Sequence, residues 1–96
     1  MKDKTILSVR VSSMESARGN KVPNQFHITI QGDGHYFQSY QTMIAYKDFM
    51  GNVTLDENAW NYSRTTSKYR SIFLDESTDE TRKKIESGEY KLANLN

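Results

Sequence analysis

Residues 26–41, Phe-His-Ile-Thr-Ile-Gln-Gly-Asp-Gly-His-Tyr-Phe-Gln-Ser-Tyr-Gln, decide the fold of this chain. The apolar residues Phe26, Ile28 and Ile30 alternate with polar ones, which is the period of a half-buried β-strand. Asp33-Gly34 follows, and Asp-Gly is a strong signal for a tight hairpin turn. We therefore predict a return strand that starts at His35 and can continue past a bulge.

The flanking sequence extends this hairpin in both directions. Alternation over Ile6–Val11 predicts a strand before it, and the polar segment Ser12–Asn24, with its glycine and its only proline, predicts a connecting loop. A second turn is expected at Phe49–Asn52, before a short strand at Val53–Leu55. The first half of the chain is thus predicted to be an antiparallel meander.

The second half carries helical patterns. A helix is predicted from Asn61 or Ser63 to Leu74, with two sides. The packing side would hold Tyr62, Thr65, Thr66, Tyr69, Ile72 and Phe73, and the opposite side Arg64, Ser67, Lys68 and Ser71. Ser77 and Glu80 have capping-box spacing and predict a second helix that ends before Gly88, and Glu89–Leu92 suits a last strand.

Together these patterns predict one domain over residues 1–96 of the α+β class. It would contain an antiparallel sheet of about four strands with two C-terminal helices packed on one face. A chain of 96 residues builds only a small core, so its 11 aromatic residues must supply much of the burial.

Composition excludes several functional classes. The chain has no cysteine, which excludes a disulfide scaffold, a thiolate zinc site and a cysteine nucleophile. It has no apolar run near the ~20 residues that span a membrane, and no signal peptide is visible. We expect no membrane association, a cytoplasmic location, no cofactor and no enzyme activity, because no catalytic constellation can be assembled from its residues.

Residues 60–74 are the main candidate for a functional site. They carry three cations and no acid, with hydroxyl side chains between the cations, and this combination suits an anionic partner. The alternative is a solvated helix face whose cations pair with Asp56, Asp75 or Glu76. The predicted partner-binding residues of this segment are Arg64, Ser67, Lys68, Arg70 and Ser71. Two further groups are predicted to contribute, namely the loop cations Arg18 and Lys21 and the partly exposed aromatic residues Tyr40, Tyr62 and Tyr69.

The two histidines are weaker candidates. His27 and His35 would lie on facing strands of the hairpin, and Asp33 occupies the turn between them. A metal site made of these three residues is conceivable, but its spacing matches no known metal motif, so we predict no bound metal. The segment Gly32–His35 lacks the spacing and the lysine of a phosphate-binding loop, and a hairpin turn explains it.

The chain also resembles a family of short proteins encoded by phages and prophages of Gram-positive bacteria. The resemblance rests on residues 22–26, 36–40, 55–56, 60–70, 73–74, 81–85 and 92–96. Its strongest signature is Tyr-Ser-Arg-Thr-Thr-Ser-Lys-Tyr-Arg, which is present in full at residues 62–70. The family is a domain of unknown function, so the resemblance implies a setting and no catalytic role.

That setting leads to three functional hypotheses. The first is a phage accessory protein that binds a bacterial macromolecule as an anti-defence inhibitor, such as an anti-CRISPR protein that acts on a host nuclease. The second is direct nucleic-acid binding through the basic, hydroxyl-rich helix face. The third is sequestration of a nucleotide, which would need a pocket or an interface between two copies, and a homodimer is compatible with so small a core.

Overall fold

The computed structural model describes residues 8–96, so the predicted strand at Ile6–Val11 lies partly outside the described residues. The order of elements is β1 (Val9–Glu15), β2 (Lys21–Ile30), β3 (Gly34–Ser39), β4 (Thr42–Asp48), β5 (Val53–Asp56), α1 (Arg64–Leu74), α2 (Thr78–Glu86) and β6 (Lys91–Ala93). Within these residues the strands form one sheet in the order β1-β2-β3-β4-β5-β6. The α+β prediction is confirmed.

The predicted strand count and sheet type are wrong, because the sheet has six strands and is mixed. Strands β1 to β5 pair antiparallel, whereas β5 and β6 pair parallel. Parallel neighbours need a crossover connection, and the segment with α1 and α2 supplies it. The last strand could therefore not be an extension of the meander.

Two connections differ from the prediction, and one of them adds a strand. The predicted loop at Ser12–Asn24 is mostly strand, since β1 runs to Glu15 and β2 starts at Lys21. The single return strand is instead split into β3 and β4 by a turn in which Tyr40 has φ 56°. The hairpin turn at residues 31–33 and the turn at 49–52 lie where the sequence predicts them.

The two sides of the sheet differ. On the helix side, the Phe37 ring stacks on the Phe73 ring of α1 at 6.0 Å. Phe37, Ile44, Ala45 and Leu55 are fully buried and form the centre of the core. The register places Tyr36, Tyr46 and Ile28 on the other side, where the Tyr36 and Tyr46 rings stack at 4.5 Å.

The helices begin as predicted. Ser63 caps α1 through a bond from the Thr66 amide, and Ser77 and Glu80 form the full capping box of α2. Contacts join α1 to β2, β3 and β4. That both helices cover one face of the sheet stays a prediction. Within residues 8–96, neither helix is long and apolar enough to cross a membrane.

The C-terminal residues are tied to the strand that β6 joins. The buried carboxylate of Asp56, at the end of β5, accepts hydrogen bonds from the Leu95 amide at 2.9 Å and from the Asn96 side chain at 3.1 Å. Asn96 also bonds both backbone groups of Met43 in β4. These bonds fasten the end of the chain across β4 and β5.

Gly34 should be essential to the register of β3 and β4. Its φ is 156°, and a Cβ built there would contact the Lys47 carbonyl and lie 2.8 Å from the Asp48 Cα. We expect Gly34→Ala to lower the free energy of unfolding by about 3 kcal/mol or more, because strain and overpacking add. Urea denaturation measures the change.

Gly51→Ala is the matched control, since Gly51 has φ 90° but open space around the position of its Cβ. Its cost should be about 1–2 kcal/mol, from backbone strain alone. Equal losses in both variants would show that the close approach at Gly34 does not matter.

Candidate functional site

Four of the five Ser and Thr hydroxyls in the basic segment make hydrogen bonds inside the protein. Ser63 caps α1, and the Thr66 hydroxyl lies 3.0 Å from that of Ser39 at the end of β3. Ser67 donates to the Asn61 side chain at 2.5 Å, and Ser71 accepts from the Arg70 guanidinium at 3.2 Å. These hydroxyls therefore orient α1 and its neighbours, and they already have partners before any ligand arrives.

Arg70 lies in the protein interior, with none of its surface exposed. Its Nη1 donates to the Trp60 carbonyl at 2.6 Å and to the Asn61 side chain at 3.2 Å. Its Nη2 donates to the Thr78 hydroxyl at 2.7 Å, and the guanidinium lies 5.2 Å from the centre of the Trp60 ring. One cation thus joins the segment before α1, α1 itself and the first turn of α2.

The helical sides of α1 differ from the prediction. The buried residues are Thr66, Tyr69, Arg70 and Leu74, whereas Ile72, predicted to pack, is 48% exposed. Arg70 occupies a core position because carbonyl and hydroxyl acceptors surround it, and a pattern of apolar residues cannot reveal these acceptors. We therefore leave Tyr69 and Arg70 out of the candidate contact surface and assign them a structural role.

A narrower surface stays exposed on α1. Arg64, Lys68 and Ile72 follow one another at four-residue spacing and form one stripe. Tyr62, just before the cap, is 53% exposed. Tyr40 is 56% exposed, and its turn adjoins α1 through the bond between Ser39 and Thr66. We call Arg64, Lys68, Ile72, Tyr40 and Tyr62 the α1 surface.

The cations of the α1 surface have no acidic partner among residues 8–96. The ion pairs within this range are Arg82–Asp79 at 3.3 Å and Lys84–Glu76 at 2.8 Å. The proposed pairing of Arg64 or Lys68 with Asp56, Asp75 or Glu76 is therefore absent from the described residues. Both side chains are exposed and available to a partner.

The two loop cations lie on other elements. Arg18 is in the connection between β1 and β2, and Lys21 is the first residue of β2, and both are exposed. Within residues 8–96, no hydrogen bond or ion pair joins either side chain to α1. Their part in partner binding stays a prediction.

A second polar cluster holds the junction between the helices and β6. The Glu76 carboxylate, with 5% of its side chain exposed, accepts from Lys84 at 2.8 Å, Tyr90 at 2.7 Å and Thr81 at 2.5 Å. Burial acts to raise the pKa of Glu76, but these hydrogen bonds outweigh it and hold the pKa below its usual value. Burial and the bond to Glu76 raise the pKa of Tyr90 to about 12.

The histidines are close, but Asp33 does not join them. Nε2 of His27 lies 3.0 Å from Nδ1 of His35. The Asp33 carboxylate instead accepts from the Tyr46 and Tyr36 hydroxyls, which lie on the opposite side of the sheet and lower its pKa. Within residues 8–96, no group of three or more His, Cys, Asp or Glu side chains could hold a metal ion.

Sequence reasoning missed two cations beside the histidines. Arg10 on β1 pairs in register with Thr29, Thr29 pairs with His35, and His35 pairs with Lys47. These four residues form one row across four strands, on the helix side of the sheet. Alternation alone could not have placed them together, because the pairing of His35 with Lys47 depends both on the turn at Tyr40 and on the bulge that shifts the register between Phe37 and Gln38.

The geometry can now be set beside known proteins. Residues 9–89 match the family described as "Family of unknown function (DUF8033)". The chain belongs to this family. The matched residues include β1, both helices and residues 62–70. No curated protein and no solved structure matches the chain.

Arg70 should matter more for stability than any exposed cation of α1. Arg70→Ala removes four hydrogen bonds, takes the donor from the partly buried Trp60 carbonyl and Thr78 hydroxyl, and leaves a cavity where the fully buried side chain was. We expect the free energy of unfolding to fall by about 3–5 kcal/mol, measured by urea denaturation. Arg70→Lys should recover little of this loss, because an ammonium group cannot reproduce the planar fork.

Arg64→Ala is the matched control, and it should change stability by less than about 0.5 kcal/mol. A mild effect of Arg70→Ala, similar to that of the control, would contradict the structural role of the buried guanidinium.

Glu76 should make stability depend on pH in the acid range. Its pKa is lowered in the folded state, so its contribution is full above the unfolded pKa and is lost as pH falls through the folded pKa. Glu76→Gln should therefore lower stability at pH 7 by about 1–3 kcal/mol and have a smaller effect at pH 3. Denaturation at the two pH values checks this, and an equal loss at both would refute it.

Proposed function

We propose that this protein acts by binding a bacterial macromolecule through the α1 surface, without catalysis. The observation that carries the proposal is the exposure of Tyr40, Tyr62 and Ile72, each about half exposed, on or next to a helix that carries two cations with no described acidic partner. Protein interfaces are enriched in tyrosine and arginine, and anchors of this kind supply much of the binding energy.

The mixed chemistry of the α1 surface favours a protein as the partner. A nucleic-acid site draws its affinity mainly from phosphate contacts, whereas three of the five residues of this surface are aromatic or apolar. Large apolar groups that are exposed beside cations instead fit a protein with apolar pockets and an acidic rim. Of the hydroxyls that suggested phosphate binding, those of Ser63, Thr66 and Ser67 are hydrogen-bonded within the fold, and that of Ser71 accepts from Arg70.

The resemblance to phage and prophage proteins supports the choice of partner. We propose that the chain is a phage accessory protein that acts in the cytoplasm of a bacterial host as an anti-defence inhibitor, such as an anti-CRISPR protein. Its target would be a defence nuclease whose acidic surface receives Arg64 and Lys68. Two further functions compete for the same surface, namely direct nucleic-acid binding and nucleotide capture between two copies of the chain.

Binding to purified defence nucleases of a Gram-positive host tests this proposal. The wild-type chain should form a defined complex in size-exclusion chromatography and inhibit cleavage by the nuclease. Arg64→Glu with Lys68→Glu should weaken the complex at least about tenfold, because like charges at an interface are costly.

The control for charge is Lys83→Glu, an exposed cation of α2, which should leave binding and inhibition unchanged. The proposal fails if no nuclease is bound or if both charge variants have the same effect. A complex that forms only with nucleic acid, or a dimer that forms only with nucleotide, would favour the corresponding alternative.

A further inference from the structure

The row of Arg10, Thr29, His35 and Lys47 is a second candidate surface, separate from the α1 surface, and we call it the cationic row. Each member pairs in register with the next across β1, β2, β3 and β4. Neighbouring strands lie about 4.8 Å apart, so the row extends about 14 Å across the sheet. Arg10 and His35 are exposed, and Lys47 is half-buried.

The polar groups of the row converge at its centre. Nδ1 of His35 lies 3.0 Å from Nε2 of His27 and 3.2 Å from the Thr29 hydroxyl. When Nδ1 accepts from these neighbours, the proton of the His35 ring is on Nε2, which is then available as a donor. An open cavity of about 310 Å³ continues the row and is lined by Ser8, Arg10, Thr29 and Gln31.

The adjacent carboxylates are already engaged elsewhere. Asp33 accepts from Tyr36 and Tyr46 on the other side of the sheet, and Asp48 accepts from the Met50 and Asn52 amides of its own turn. The positions that flank the row on its own side are uncharged, namely Ser8, Ser12, Gln31 and Phe37. Among residues 8–96, the flanking positions on the row's own side of the sheet therefore place no carboxylate beside it.

This charge pattern favours an anion and disfavours a metal ion. Two imidazoles at 3.0 Å could ligate one cation, but Arg10 and Lys47 on either side would repel it. The pKa of His27 is lowered, first by burial and then by the neighbouring His35 and Lys47, and only this second part is a response to positive charge. A bound anion would relieve this repulsion.

We propose that the cationic row binds the phosphate backbone of a nucleic-acid strand. A single phosphate group is much shorter than the row and could not contact Arg10 and Lys47 together without drawing both side chains to the centre. Successive phosphates of one strand, laid across the sheet, would contact Arg10, the His35–Thr29 pair and Lys47 in turn. The inference does not depend on the α1 surface, since the two surfaces share no residue.

Fluorescence anisotropy with labelled single-stranded RNA and DNA over a series of chloride concentrations tests the inference. Wild type should bind, with log K falling linearly against log salt. Arg10→Gln with Lys47→Gln removes two phosphate contacts, so the slope should become shallower by about 1.4. Thermal melting confirms that the variants fold.

Lys83→Gln with Lys91→Gln is the matched control, because it makes the same change in net charge at exposed sites away from the row. It should keep the wild-type slope. Absence of binding, or equal slopes for the two double variants, would overturn the inference. So would loss of binding in Arg64→Gln with Lys68→Gln alone, which would assign the phosphates to the α1 surface.

Inorganic phosphate, compared with chloride at equal ionic strength, distinguishes a strand from a single phosphate group. Equal competition by the two salts is expected for a backbone site. Displacement of the strand by phosphate well beyond the effect of chloride would mean that the row takes one phosphate group, which contradicts the proposal.

Discussion

The buried guanidinium of Arg70 is the constraint on which the helical half of this protein depends. Removing a cation from water costs several kcal/mol unless hydrogen bonds replace the lost hydration. Four such bonds reach Arg70 from Trp60, Asn61, Ser71 and Thr78, while its Nε finds no acceptor among residues 8–96. The acceptors lie in three segments, namely the residues before α1, α1 itself and the first turn of α2, so these segments must be in place together.

The topology explains why such a junction is needed. The parallel pairing of β5 and β6 requires the chain to cross over through α1 and α2, and the two helices share few contacts with each other. Apolar packing alone, in a chain with 35% hydrophobic residues, has limited means to orient them. Directional bonds at Arg70 and Glu76 supply the orientation, and Glu76 extends it to Tyr90, just before β6.

Local signals predicted the elements better than their arrangement. The Asp-Gly hairpin and the Ser77–Glu80 capping box were readable because each is a contact between near neighbours in sequence. The turn at Tyr40 was missed, because a tyrosine at φ 56° gives no compositional signal. The parallel pairing of β6 was missed for a different reason, since it depends on where a crossover of more than 30 residues returns.

The candidate site was predictable only in part, because it also depends on contacts between residues that are far apart in sequence. Composition located the basic segment, and Arg64 and Lys68 are indeed exposed. Composition could not distinguish these two exposed cations from the buried Arg70, because the hydrogen-bond acceptors of Arg70 include residues before α1 and a residue of α2. The cationic row was beyond reach because its members are joined by strand register and not by proximity in sequence.

The basic segment at residues 60–74 therefore has two parts in this account, a structural junction and a small exposed stripe. Nuclear magnetic resonance of the arginine side chains tests this division most directly, because it reports guanidinium burial without any substitution. The account predicts resolved, slowly exchanging Hη signals for Arg70 and averaged, rapidly exchanging ones for Arg64. Rapid exchange at both residues would contradict it, because Arg70 would then face solvent and belong to the contact surface.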